Sequence, residues 1–316
     1  MKGGPETESL TVIIVSYNTR ELTLAALRTL YTTTQATAFH TVVLDNASTD
    51  GSADAVAATF PQVELLRSGE NLGFAKANNM VAEAVSTEWL LLLNPDTECH
   101  EGAVDNLMAF ARANPRGGIY GGRTVFPDGG LNIASCWNRI TPWSVFCLAT
   151  GLTAAFPRSA LFDPEAMGGW QRDTMREVDI VVGCFLLIRR DLWTRLGGFD
   201  LRYFMYGEEA DLCLRAHRLG FRPMITPDAE IMHLVGAASA SKVGTRILVT
   251  KARVTLIRDH WPRWKVPLGI GLMWLWGALR IAASRLIALG GQPRGRERLA
   301  YWREVWDRRR DWLKGY

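Results

Sequence analysis

Between Leu10 and Leu93, short apolar runs rich in β-branched residues alternate with longer segments of helical period. That alternation constrains the fold more than any other feature. Leu10–Ser16 (LTVIIVS) reads as a buried strand. Asn18 or Thr19 can cap the helix that follows, with Leu22, Ala26, Leu27 and Leu30 on one face. Thr41–Leu44 is a second strand ending at Asp45, Ser52–Thr59 a short helix and Val63–Leu66 a third strand. Phe74–Val85 is a helix and Trp89–Leu93 a fourth strand. Repeated strand–helix–strand units build a parallel, doubly wound α/β sheet with helices on both faces. Ligands of such sheets bind beyond the carboxyl ends of the strands. Three polar clusters fall there: Ser16-Tyr17-Asn18, Asp45 to Ser52, and Asn94-Pro95-Asp96.

Past a helix expected from Glu101, regularity is lost. Arg123–Arg176 is interrupted by prolines and glycines and carries scattered aromatics. It reads as a long excursion with one helix, lying over the pocket. Asp179–Arg189 returns as a strand, Glu208–Leu219 as a helix, Ala229–His233 as a strand and Val243–His260 as a helix. The 316 residues suffice for one large α/β domain and an appendage. The expected division is a catalytic domain over 1–242, with 123–176 as its acceptor-side excursion, and a helical region over 243–316.

The turns exclude two kinds of nucleotide chemistry. Val15 to Arg20 holds no glycine, whereas a dinucleotide-binding turn needs glycines for close approach to a pyrophosphate. No GxxxxGK[ST] sequence occurs either. Asp45, at a strand end, can accept from a base N–H or a ribose hydroxyl; alternatively Asp45 and Asp50 only shape the turn and cap the next helix. Asp96 follows a strongly apolar run, and a carboxylate held there is costly unless a cation pairs with it. A divalent ion shared with diphosphate oxygens would do so, and a plain proline turn is the alternative. Glu208, Glu209 and Asp211 crowd a helix start. The helix dipole favours them there, or one serves as a general base whose pKa is raised by like charge. His233 ends a strand before Gly236, Ser239 and Ser241. It is either a hydrogen-bonded structural residue or a ligand of the same metal.

Net charge is +4 but unevenly placed: Lys251–Tyr316 holds 15 Lys/Arg against 5 Asp/Glu. Seven of the twelve tryptophans lie there, among them Trp264, Trp274, Trp276 and Trp312. Val266–Leu279 and its continuation to Leu289 are apolar, but Arg280 and Arg285 interrupt them. This favours a helix lying in an anionic membrane interface over one that spans. The alternative is that the tryptophans pack the tail onto the rest of the chain. Nucleic acid is disfavoured, because the tail offers no stacking platform on a sheet. The five cysteines have no CxxC spacing, which suits reduced, isolated thiols. Met1–Leu10, with Glu6 and Glu8, has no stretch of signal-peptide length, so a cytoplasmic location is expected.

Six blocks in order resemble family 2 glycosyltransferases of the GT-A fold, in the bacterial rhamnosyltransferase-like branch. They are VIIVSYN (Val12–Asn18), VVLDNASTDGS (Val42–Ser52), ENLGFAKANN (Glu70–Asn79), LLLNPD (Leu91–Asp96), VVGCFLLIRRDLWTRLGGFD (Val181–Asp200) and FMYGEEADLCLRA (Phe204–Ala216). The resemblance implies a metal-dependent inverting transferase of a nucleoside-diphosphate sugar. It implies that Ser16, Asn18 and Asp45 line the base and ribose, and that Asn71, Gly73, Phe74 and Asn78 lie along the donor. Asp96 looks like the last aspartate of the family's acidic metal motif, whose first acidic position is Asn94 here. His233 thereby gains importance as a second ligand of Mg²⁺ or Mn²⁺. Glu209 looks like the catalytic base, with Glu208 as its rival, and Arg202 or Lys242 are candidates to stabilise the leaving diphosphate. The implied donor is a dTDP-, UDP- or GDP-linked sugar, with dTDP-rhamnose suggested by the branch. The implied acceptor is a saccharide or lipid-linked saccharide at the inner face of the membrane. A non-catalytic nucleotide-sugar-binding module is the alternative, disfavoured by the retained Asp96 and acidic pair.

Overall fold

The structure, a computed structural model, describes residues 9–234, 242–290 and 293–316. The chain forms two compact units. One comprises Met1–Trp137, Gln171–Phe204 and Glu208–Ala238; the other Asn138–Trp170, Met205–Gly207 and Ser239–Tyr316. Glu6, Glu8, Gly236, Ser239 and Ser241 lie outside the described residues.

The first unit is mixed α/β. It opens with β1 (Leu10–Ser16), α1 (Arg20–Thr33), β2 (Phe39–Asp45), α2 (Ser52–Thr59), β3 (Glu64–Arg67), α3 (Gly73–Ala84) and β4 (Trp89–Leu93), so the alternation read from the sequence holds. Strands β3-β2-β1-β4 are consecutive and parallel. Every residue of β4 is buried, as a strand covered on both faces must be. Leu10, Val12 and Ile14 pack with Leu27 and Leu30 of α1 in one core. Because β2 lies on one side of β1 and β4 on the other, the strand order reverses at β1, the place where open α/β sheets bind ligands beyond the strands' carboxyl ends.

Beyond β4 come β5 (Thr97–Cys99), α4 (Ala103–Ala113), β6 (Ile119–Val125), β7 (Leu131–Asn132) and β8 (Cys136–Trp137). Two short helices of the second unit follow, α5 (Pro142–Thr150) and α6 (Leu152–Ala155), then β9 (Arg176–Glu177), β10 (Ile180–Val181), β11 (Phe185–Arg189), α7 (Arg190–Leu196), α8 (Glu208–Arg218) and β12 (Met224–His233). The sheet continues β4-β11-β6-β12-β5. Here the sequence reading is corrected twice. The single strand expected over Asp179–Arg189 is two strands in different sheets: β10 pairs β8, whereas β11 runs antiparallel to β4. Strand β6 falls largely in a stretch to which the sequence reading assigned no element, and it carries Gly121 and Gly122. Both are needed: a Cβ on Gly122 would overlap the Ala229 carbonyl oxygen, and one on Gly121 would come within 2.6 Å of Val181.

The second unit is helical. It holds α5, α6, α9 (Lys242–His260), α10 (Val266–Leu289), α11 (Pro293–Asp307) and α12 (Arg309–Lys314). The excursion expected to carry one helix carries two, and its residues 138–170 cluster with the tail. Val145, Ile257, Met273, Trp276, Val305 and Trp312 make a shared core. Most tail tryptophans serve this core: Trp276 and Trp312 are buried, and only Trp264 and Trp274 are well exposed. Arg280 donates to the carbonyls of Leu148 and Ala149 at the end of α5, where carbonyls lack helical partners. Glu165 and Arg253 form a two-pronged ion pair at 2.7 and 2.8 Å. All five cysteines are free and buried.

Candidate active site

The β1–β2 register places Ser16 opposite Asp45, so the first two polar clusters start side by side. Their side chains then take different tasks. The Ser16 hydroxyl is buried within 3.1 Å of Thr19 and 2.9 Å of Thr23, a hydroxyl knot beneath the turn rather than a group facing the crevice. Asn18 sits at φ +52°, in the left-handed region that Asn tolerates. Its carbonyl oxygen accepts from Thr49 N at 2.7 Å and its own N–H donates to Ser48, which lashes the two turns together. Asp50 is fully employed by Arg20 N and Ser52 N. Asp45 is different. Its Oδ2 accepts from Ser48 N at 3.1 Å, while Oδ1 is buried with no partner among the described residues. A buried carboxylate oxygen so placed is an acceptor waiting for a donor.

Asn46, not singled out from the sequence, organises the next segment. Its amide donates to Asn71 Oδ1 at 3.0 Å and accepts from Leu72 N at 2.7 Å, while Asn71 Oδ1 also accepts from Gly73 N. Gly73 has φ +73°, and a Cβ there would lie 2.8 Å from the Phe204 carbonyl oxygen. Phe74 sets its ring 5.8 Å from that of Phe199. Asn78 is buried and donates back to Phe74 O within its own helix. The adjacent Asn79 grips the Phe199 backbone at both N and O, 2.9 Å each. A pair of amides inside an apolar helix face was the available signal for this clamp.

At the end of β4, Asn94 N donates to Cys184 O and Asn94 O accepts from Thr97. Asp96 Oδ1 lies 3.3 Å from His233 Nε2, both residues buried. The pairing of β5 with β12 causes this, because it sets Thr97 opposite His233. Burial opposes a charged His233 ring, yet its contacts with Asp96 and Cys184 push its pKa up to about 10. His233 Nδ1 is buried without a partner among the described residues.

The pair fits a divalent cation. The 3.3 Å separation is close to the roughly 3 Å between adjacent corners of an octahedron with bonds of about 2.1 Å. One carboxylate and one imidazole suit Mn²⁺ or Mg²⁺ when substrate phosphates supply the other positions. Among the described residues no group of three or more His, Cys, Asp or Glu is gathered to hold a metal.

Glu208 and Glu209 begin α8. Glu208 is buried, with Oε2 unpartnered among the described residues, and burial reinforced by Glu209 raises its pKa well above the ordinary carboxylate value. Glu209, beside it, is half-buried. The Cβ of Glu209 and the Phe74 ring would flank a Cβ built on Gly183, at 3.8 and 3.3 Å. The turn before β11 therefore lies between the Asn71–Phe74 segment and the acidic pair. The third acid, Asp211, is committed to Arg215 at 2.7 Å, which in turn donates to Leu196 O and Gly198 O. Arg202 is engaged with Asp200 in its own turn, and Lys242 is exposed at the start of α9.

Residues 11–195 match the model of the family described as glycosyl transferase family 2. The N-acetylglucosaminyl-diphospho-decaprenol L-rhamnosyltransferase of Mycobacterium tuberculosis is 28% identical over 257 residues, covering 72% of this chain and 77% of that protein. Rhamnosyltransferase WbbL of Escherichia coli is 43% identical over 56 residues, 18% of this chain and 21% of that one. Among solved structures, mannosyltransferase PcManGT from Pyrobaculum calidifontis, in complex with GDP-Man and Mn²⁺, superposes with a TM-score of 0.58 at 20% identity. That match covers 95% of this chain and 86% of the other. S. aureus TarS 1-349, in complex with UDP, gives 0.54 at 15% identity over 96% and 91%. At these identities the structural likeness speaks for the GT-A fold.

Proposed function

The chain belongs to glycosyl transferase family 2, and from the residues at its strand ends we propose that it moves a sugar, rhamnose first among candidates, from a nucleoside diphosphate onto a saccharide or lipid-linked saccharide, with inversion. The observation that carries this reading is the meeting of Asp96 and His233, far apart in sequence, at 3.3 Å beside the sheet crevice. In this reading Asp45 Oδ1 accepts from the base or ribose, and the Asn46–Asn71 bridge holds the Gly73-Phe74 turn along the donor. Asp96 and His233 would hold Mn²⁺ or Mg²⁺, which when bound would neutralise charge on the departing diphosphate. Glu209 takes the proton of the acceptor hydroxyl as that oxygen attacks the anomeric carbon in line. Glu208 is buried beside it and its pKa is raised by burial and by Glu209, which makes Glu208 the less suited of the two to accept that proton.

Rhamnose and a lipid-linked acceptor are supported by the Mycobacterium relative, whose name gives both. The basic helical unit supports a peripheral position on an anionic membrane surface at the cytoplasmic side. A thermal-shift screen of dTDP, UDP, GDP and their sugars, with and without Mn²⁺ or Mg²⁺, tests the proposal. Stabilisation by one base class, enhanced by the cation and weakened in Asp45→Ala, is expected. No stabilisation by any nucleoside diphosphate would sink it.

A further inference from the structure

The twenty-one residues from Pro142 to Phe162 contain one formally charged side chain, Arg158, and no carboxylate. Their inward side chains, Val145, Cys147 and Ala149, are buried. The outward ones are aromatic or aliphatic: Trp143, Phe146, Phe156 and Leu161 are between 38 and 60% exposed. These are not scattered singles. Trp143 stacks on Phe146 at 5.5 Å, Trp143 meets Phe162 at 6.3 Å, and Phe162 meets Phe156 at 5.1 Å, so the rings form one continuous surface. Trp143 Nε1 donates to Leu161 O at 2.6 Å. That bond ties the two ends of the patch and leaves the indole no unsatisfied polar atom to expose.

Contiguous apolar surface of this kind marks an interaction site on a folded protein. Its surroundings select the occupant. Within the same helical unit, Lys and Arg exceed Asp and Glu by twelve. Further outward apolar side chains of that unit are Trp264, in the turn before α10, and Leu268, Leu286 and Leu289 on α10, with Lys265 held 4.8 Å over the Trp264 ring. Aromatic rings in a basic unit, with no acid in Pro142–Phe162 or in α10, match the interfacial layer of an anionic bilayer. A protein partner offers no such reason for the charge excess.

We propose that the Trp143–Phe162 patch is a second bilayer-contacting surface, which inserts its rings at the headgroup boundary of an anionic membrane independently of the tail helix. The proposal rests on the membrane position given under the proposed function. It also assigns a task to the middle of the chain, where the sequence offered only an excursion.

The test uses the full chain and vesicles of phosphatidylcholine with or without phosphatidylglycerol. Two double variants are compared with wild type, Phe156→Ser/Leu161→Ser in the patch and Leu286→Ser/Leu289→Ser on α10. All four positions are exposed, and unchanged circular dichroism and Tm check the fold. Loss of about tenfold or more in partitioning onto anionic vesicles is expected from each double variant, since each removes two large apolar side chains from the interface. Binding by the patch variant equal to wild type, with the α10 variant impaired, would overturn the patch and leave the membrane position standing. No binding of wild type to either vesicle would overturn both. Unchanged vesicle binding with a patch variant that converts a dimer to a monomer in ultracentrifugation would assign the patch to a second copy of the chain instead.

Discussion

At the scale of single residues the site divides into groups already satisfied and groups left waiting. Ser16, Asn18, Asn78 and Asp211 are bonded within the protein, whereas Asp45 Oδ1, Glu208 Oε2 and His233 Nδ1 are buried without partners among the described residues. Transfer by Glu209→Gln is expected to fall by roughly 10²–10⁴-fold with the fold intact, the range for loss of a general base. Steady-state rates with circular dichroism on the same sample check it. Asp96→Ala is expected to lose transfer comparably and to lose its cation-dependent thermal shift. Glu208→Gln makes a separate, thermodynamic prediction. A carboxyl whose pKa is raised in the folded state binds more protons there than when unfolded. Its stabilising contribution is therefore complete below the ordinary value near 4.5 and disappears as pH rises through the raised one. Replacing it with Gln should raise Tm relative to wild type at neutral and alkaline pH, and the gap should close in acid. A gap that widens in acid would refute the raised pKa of Glu208. The sequence exposed Asp45, Asp96 and the acidic pair because each ends a strand or starts a helix. It did not expose Asn46 as the hub or the Cys184 contact with His233, because those depend on which loops the sheet order brings together.

Elements show why local pattern sufficed for half of the sheet. Strands β1 and β4 are buried almost throughout, and β1, β2 and β3 are each followed by a helix, so periodicity alone locates them. Strand β6 is built on Gly121 and Gly122, whose value is close approach to β11 and β12, a property of neighbours rather than of the strand itself. Strand β11 pairs antiparallel with β4 across nearly a hundred residues, which no local rule foretells. The turn into α3 carries a firm prediction. Gly73→Ala must place a Cβ 2.8 Å from the Phe204 carbonyl at φ +73°, so destabilisation of about 1–3 kcal/mol is expected, together with weakened donor binding. Urea unfolding and nucleotide thermal shift measure the two effects. In the helical unit, Glu165 joins the excursion to α9 through Arg253. Burial alone would raise the Glu165 pKa, but the guanidinium overrides it and leaves the pKa below its ordinary value. A depressed carboxyl stabilises above its unfolded pKa near 4.5 and loses that contribution as pH falls through the folded value. Glu165→Gln should cost on the order of 3 kcal/mol at neutral pH by stranding the buried Arg253. The difference from wild type should shrink in acid, and a pH-independent difference would reject the ion pair as its source.

For the whole molecule, the charge division read from the sequence corresponds to a division of structure, an acidic sheet unit and a basic helical one. The tryptophans were legible as a cluster, but their roles were not. Trp276 and Trp312 fill a core with Val145 and Ile257, and burial depends on partners more than a hundred residues away. Cutting the chain after His260 therefore does more than remove a surface anchor, since it strips that core of Trp276, Val305 and Trp312. A truncated chain is expected to lose cooperative unfolding of the helical unit, measurable by calorimetry, whatever happens to vesicle binding.

The Arg280 caps on α5 and the Glu165–Arg253 pair have a consequence for how this protein can be recombined. The helical unit is assembled from separated stretches of chain, so it is not a suffix that can be exchanged at one junction. A chimaera that swaps only the tail between relatives would combine an excursion from one parent with helices from the other and break both contacts. Grafts that carry 138–170 along with 239–316 keep them. In lineages of such enzymes the two segments should change together, as one inheritance split across the gene.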